Sequence, residues 1–251
     1  DLDKLALSTE KLLAGTDSKI TTIGYYCNPI QYAEHRKTLE NVICTAGKFG
    51  ATHVSTFAGA WEGKPVESAY EEFGKVFREL ADLAEEKGVK LGIENCLMDG
   101  TWEHATCNIG FNPKAWEVMF EEVKNDNFGL EWEPTHQMVQ LIDPVTELRK
   151  WCKKIVHIHG KDATIDWDAV RHSGISGAVP FVWHRMPGFG DTNWRDIISI
   201  LRSNGYEDDI CIEGYHDPVY SGELEMTGQL HALNYLKWCR GGDFTPTPWE
   251  K

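Results

Sequence analysis

Short runs of β-branched and apolar residues alternate along the chain with longer stretches whose apolar positions recur every three or four residues. The first pattern fits buried strands and the second fits helices with one apolar face. "KITTIGYY" (19–26) predicts a strand, followed by a helix over about 31–49, and "ATHVSTFAGA" (51–60) predicts the next strand. Tyr70, Phe73, Phe77, Leu80 and Ala84 then fall on one helical face, with Gly88 placed to stop that helix. "VKLGIENC", "FGLEWEP", "KIVHIHG" and "DICIEGY" read as further strands, separated by helical patterns near 113–123, 144–153 and 194–202. The segment 161–191 follows neither period and reads as irregular.

Strict alternation of strand and helix means parallel strands joined by crossovers, hence an α/β fold, either a barrel or a doubly wound sheet. The polar residues decide between them. "GIEN", "EWEPTH", "HIHGKD" and "IEGYHD" place acids or histidines at the C-terminal ends of four different strands. In a barrel those ends converge on one face, where the active sites of such enzymes lie, whereas an open sheet concentrates its site at one switch point. The expectation is a (β/α)8 TIM barrel, as a single domain over residues 1–251 without repeat or linker.

Charge and composition narrow the partners. A formal net charge of −14 repels a phosphate backbone, so neither nucleic acid nor an anionic membrane is an expected partner. No apolar run is long enough to span a bilayer and the first residues lack the segments of a signal peptide, so the expected location is the cytoplasm. Seven scattered cysteines without a CxxC pair argue against a disulfide framework; most are expected to be buried small hydrophobes.

The last inward position of each of those four strands holds Glu94, Glu133, His159 or Glu213. Three carboxylates and an imidazole meeting in a barrel mouth repel unless a cation sits between them. One divalent metal ion is therefore expected, and oxygen-rich ligation with a single nitrogen favours Mn²⁺, with Mg²⁺, Co²⁺ and Zn²⁺ as alternatives. Each glutamate taken alone reads more often as a solvated loop carboxylate than as a ligand; the repeated placement is what points to metal.

The series "LGIEN", "GLEWEPTH", "VHIHGKDA", "HRMPGFGDTNW" and "ICIEGYHDP" resembles the xylose isomerase-like TIM barrels, a sugar isomerase/epimerase superfamily that includes ketose 3-epimerases. The resemblance runs from about Thr22 to about Trp238. It implies a Glu, Asp, His, Glu metal site at Glu94, Glu133, His159 and Glu213, with glutamate where the family usually has aspartate. It also implies that Glu94 and Glu213 act as acid and base on opposite sides of an enediolate, and that His136 and Arg185 contact substrate. Trp61 is a candidate for stacking on a sugar face and Lys161 for a polar contact, although Lys161 and Asp162 also suit a local salt bridge. His184 and His216 are rim candidates, and Asp99 or Glu103 could be a further substrate-binding acid. The family's usual "PGEG" loop reads "PGFG" at 187–190, which suggests a less polar substrate.

Glu131 points to the same side as Glu133 but lies roughly 6–7 Å deeper, and His157 occupies the equivalent position on the next strand. A buried Glu131–His157 pair beneath the metal is the expectation. The implied function is a metal-dependent sugar isomerase or epimerase. The alternative is a lyase that eliminates from a 3-oxo-glycoside after the same proton abstraction; a sugar-binding protein and an abasic-site endonuclease fit less well. Six strands are legible where a closed barrel needs eight. The first two are expected to be missing from this sequence, so that a longer chain or a neighbouring copy in a homo-oligomer covers the open edges.

Overall fold

The computed structural model describes residues 1–247 and divides into two compact units, Asp1–His136 with Lys154–Ile158, and Gln137–Lys153 with His159–Lys251. The first unit opens with helix α1 (Leu2–Leu13), whose N-terminus is capped by the Asp1 carboxylate on the Lys4 amide. Then follow β1 (Thr22–Gly24), α2 (Ala33–Thr45), β2 (His53–Thr56), α3 (Tyr70–Glu86), β3 (Lys90–Glu94), α4 (Pro113–Glu122) and β4 (Phe128–Trp132). The short helix α5 (Pro134–Met138) crosses into the second unit, as does strand β5 (Ile155–Gly160).

Helix α3 forms where its apolar period requires. Phe73, Val76, Phe77, Leu80, Ala81 and Ala84 are all buried, and Gly88 at φ +69° ends the turn in a conformation that favours glycine. Phe73 and Phe77 stack at 4.6 Å between ring centroids and both meet Phe128 at the start of β4, where Phe120 of α4 joins them. Burying rings of this size contributes about 1.5–3 kcal/mol each. This cluster fixes the helical layer against the sheet.

The strands of this unit are parallel in the order β1-β2-β3-β4-β5, with Thr22 opposite His53, Val54 opposite Leu91, and Glu94 opposite Glu131. Between β4 and β5 the register steps from Leu130–Ile155 to Glu131–His157, which leaves Val156 as the extra residue of a bulge. Its side chain fills the space above two glycines: a Cβ on Gly92 would meet it at 3.2 Å and one on Gly129 at 2.7 Å. The bulge brings His157 level with Glu131.

The second unit contains α6 (Pro144–Trp151), β6 (Asp162–Ile165), α7 (Trp167–Ser173), β7 (Val182–Arg185), α8 (Trp194–Ser203), β8 (Ile210–Ile212) and α9 (Glu225–Cys239). Asp143, Asp166 and Asn193 cap α6, α7 and α8 through their side chains. The segment expected to be irregular instead carries β6 and β7, antiparallel, with Asp162 opposite Arg185 and Ile165 opposite Val182. Each strand has only four residues and its partner is distant in sequence, too little for a period to register. The backbone amide of Glu213, just past β8, donates to the Gly160 carbonyl at the end of β5.

All seven cysteines are free, as expected, but only Cys27 and Cys152 are buried, and Cys44 is exposed. The expectation that most would be core residues is corrected: the other five, among them Cys211 in β8, are reached by solvent at least in part. No helix among the described residues is long and apolar enough to cross a membrane.

Candidate functional site

In the first unit the candidate residues sit where the strands end. Glu94 is the last residue of β3 and Glu133 follows β4 directly; both carboxylates are buried. Pro134 opens α5, and the helical turn returns His136 over the strand end, with Nε2 at 3.3 Å from Glu133 Oε1. Burial alone would pull the His136 pKa down. The Glu133 carboxylate and Cys96, which hydrogen-bonds the ring, outweigh it and hold that pKa well above the ordinary histidine value.

Three buried asparagines bind successive strand ends to one another. Asn28 accepts from the Ala60 amide at 3.0 Å and donates to the Ala60 carbonyl at 2.9 Å. Asn108 accepts from the Ala58 amide at 2.9 Å and donates to the carbonyls of Glu94 and Cys96 at 2.9 and 2.8 Å. Asn95 donates to the Glu133 carbonyl at 2.9 Å and accepts from the Glu133 amide at 2.7 Å. The main chain carrying both glutamates is thereby fixed by side chains, where the sheet ladder has run out.

One layer deeper, Glu131 and His157 face each other as expected, both buried, with His157 Nε2 at 3.8 Å from Glu131 Oε1. The Tyr26 phenol donates to the other oxygen of Glu131 at 2.8 Å, and the Thr22 hydroxyl lies 3.4 Å from the His157 ring. The His53 ring centroid is 5.8 Å from that of His157. Sequence reasoning missed Tyr26, Asn95, Asn108 and Cys96. The "IENC" run carried a signal, since Asn95 and Cys96 directly follow Glu94.

In the second unit, His159 Nδ1 lies 3.0 Å from Glu213 Oε2, and the Lys161 ammonium donates to Glu213 Oε1 at 2.9 Å. Lys161 is only 3% exposed, so an ammonium and an imidazole converge on one carboxylate. Asp162, the expected local partner of Lys161, instead accepts from the amides of Ala163, Thr192 and Gly188 at 2.8, 2.9 and 3.1 Å. Burial pushes its pKa above the usual aspartate value, and those hydrogen bonds draw it back only in part.

Arg185 is engaged by Asp217 at 3.3 Å and lies 5.8 Å above the Phe189 ring. Asp217 also accepts from the amides of Met186, Val219 and Tyr220 at 2.7–2.8 Å. Burial raises its pKa, but the three amides and the guanidinium hold it below the ordinary value. Phe189, the residue that departs from the family's loop pattern, stacks on Tyr220 at 4.1 Å and on His231 at 3.9 Å. Its ring is taken up in an aromatic stack, which accounts for the residue without reference to substrate polarity. His184 and His216 lie with ring centroids 5.7 Å apart, and Trp183 is exposed. In the first unit Trp61 is half-buried, and Asp99 and Glu103 are exposed.

A family model described as xylose isomerase-like TIM barrel matches residues 3–237. Among curated proteins, the chain is 26% identical over 182 residues to an inosose dehydratase of Clostridium tetani, covering 70% of this chain and 57% of that protein. It is 22% identical over 227 residues to an inosose dehydratase of Clostridium perfringens, covering 87% of this chain and 73% of that one. Among solved structures, a xylose isomerase domain protein from Planctomyces limnophilus superimposes with a TM-score of 0.71 at 18% identity, covering 95% of this chain and 82% of that one. The IOLI protein with a binding zinc atom gives 0.66 at 21%, covering 95% and 80%. The 3-keto-D-glucoside 4-epimerase of E. coli gives 0.69 at 14%, covering 95% and 86%. At these identities the structural likenesses establish the fold.

Proposed function

Because the chain belongs to the xylose isomerase-like TIM barrel family, we propose that it is a divalent-metal-dependent enzyme acting on a carbohydrate by proton abstraction next to a carbonyl group. Glu94, Glu133, His159 and Glu213 would hold the cation. The donor chemistry supports this: Glu94 and Glu133 are carboxylates buried at strand ends, a costly placement that a cation offsets, and His159 and Glu213 converge at 3.0 Å. When bound, the cation would draw charge from neighbouring substrate oxygens and stabilise the anion left by proton removal. Mn²⁺ suits a set of three carboxylates and one imidazole, and zinc is the ion named with one structural neighbour.

Glu213 is the proposed base, with Lys161 and His159 holding its oxygens in place. The placement of His136, with Nε2 3.3 Å from Glu133 Oε1, is the single observation that favours elimination of water over return of the proton. A positioned imidazolium can protonate a departing hydroxyl, a task distinct from that of the base. The inosose dehydratase relatives agree with this reading, and a keto-cyclitol or related polyhydroxy ketone is the proposed substrate class. A second reading, isomerisation or epimerisation, rests on Glu94: a second buried carboxylate can return the proton to the opposite face.

The test is to incubate the Mn²⁺-loaded chain with inososes and ketoses in deuterated water and follow the products by NMR. Loss of water together with deuterium entering next to the carbonyl is expected, with both abolished in Glu213→Gln. His136→Gln should keep the exchange and lose the dehydration. Epimer formation with deuterium retained would favour the second reading, and absence of exchange with every ketone would overturn both.

A further inference from the structure

We propose that Glu94, Cys96 and His136 form a second cation site, suited to zinc or cobalt rather than to manganese or magnesium. All three residues lie in the first unit. A carboxylate oxygen, the thiol sulfur and an imidazole nitrogen from them stand within 4.8 Å of one another. Zinc bound at roughly 2.0–2.3 Å holds its ligand atoms about 3.5 Å apart, so a shift on the order of an ångström closes the trio onto one ion.

The local chain makes the arrangement specific. Cys96 follows Glu94 by two residues, and Asn108 donates to the carbonyls of both at 2.9 and 2.8 Å, fixing the main chain that carries the carboxylate and the sulfur. His136 is delivered by the first turn of α5, which brings an imidazole nitrogen within 4.8 Å of the Cys96 sulfur. Glu94 and His136 are buried while Cys96 is half-buried, which leaves an approach from the thiol side.

Sulfur, nitrogen and oxygen together are the ligand set of a borderline-soft ion, whereas the set proposed above is carboxylate-rich and hard. Glu94 belongs to both, so its two oxygens would bridge two cations, and the inference rests on the proposed function only through this shared residue. On binding, the thiol proton and any proton on the imidazole pass to solvent, so an ion held by the trio and the acid role of His136 in dehydration exclude one another. The trio thus selects a different ion from the carboxylate-rich set.

Cobalt(II) titration of the full chain, followed by absorbance and elemental analysis, tests the proposal. Two cobalt ions per chain are expected, with a thiolate-to-cobalt charge-transfer band in the near ultraviolet. Cys96→Ser and His136→Gln should each lose the band and one of the two ions. His159→Ala leaves the trio untouched and should keep the band. Cobalt bound without the band in the unsubstituted chain would overturn the second site and leave the four-ligand reading standing. A chain that takes up no cobalt would overturn both.

Discussion

Asp217 and Asn95 show how much single side chains carry here. Asp217 is buried, accepts three backbone amides and pairs with Arg185, and its folded-state pKa lies below the ordinary value of 3.8. A depressed carboxylate pKa contributes stability that is present above the ordinary value and lost as pH falls through the folded one. Asp217→Asn should therefore cost about 2 kcal/mol at neutral pH in denaturant titrations. The gap between variant and parent should narrow in acid, below pH 3.8. Asn95 sits at the candidate centre, where Asn95→Ala would strip partners from both main-chain groups of Glu133. Loss of about 2–4 kcal/mol of stability is expected, with cation affinity weakened roughly tenfold to hundredfold because a ligand's support is gone. Unchanged affinity by calorimetry would make Asn95 purely a matter of folding. At this scale the sequence was legible for acids and histidines, whose chemistry announces itself, and fainter for amides, where only the place of Asn95 directly after Glu94 gave a signal. Asn95 and Asn108 matter through main-chain groups brought close only by the fold.

Strands and helices were read more securely where a period was long. Helix α3 repeats its apolar face over four turns and ends at Gly88 as expected, whereas β6 and β7 offer four residues apiece and pair across an intervening helix. The bulge at Val156 lay beyond sequence reasoning, because an extra residue in one strand becomes visible only against its partner's register. Its cost of accommodation is borne by glycine. A Cβ at Gly129 would be driven into the Lys154 carbonyl oxygen and Val156, so Gly129→Ala should lower stability by about 1–3 kcal/mol in thermal unfolding. Gly47→Ala, where a Cβ meets nothing within 4 Å, should be neutral or slightly stabilising. Equal effects at both positions would remove the bulge from the account.

For the molecule as a whole, the strand-end placement of Glu94, Glu133, His159 and Glu213 led from sequence to fold class, and the family match over residues 3–237 bears out the TIM-barrel reading. The buried Glu131–His157 pair was legible too, since strand alternation alone sets which side chains share a face. What alternation cannot supply is the identity of the reaction, which depends on the surroundings of each acid and base: His136 beside Glu133, and Lys161 on Glu213. The central proposal is that Glu94, Glu133, His159 and Glu213 hold one hard cation. Electron paramagnetic resonance of Mn²⁺ titrated into the full chain tests it most directly, because the free ion is observed and counted. One Mn²⁺ per chain is expected, lost in Glu133→Ala and equally in His159→Ala. Undiminished binding in either variant would contradict the account.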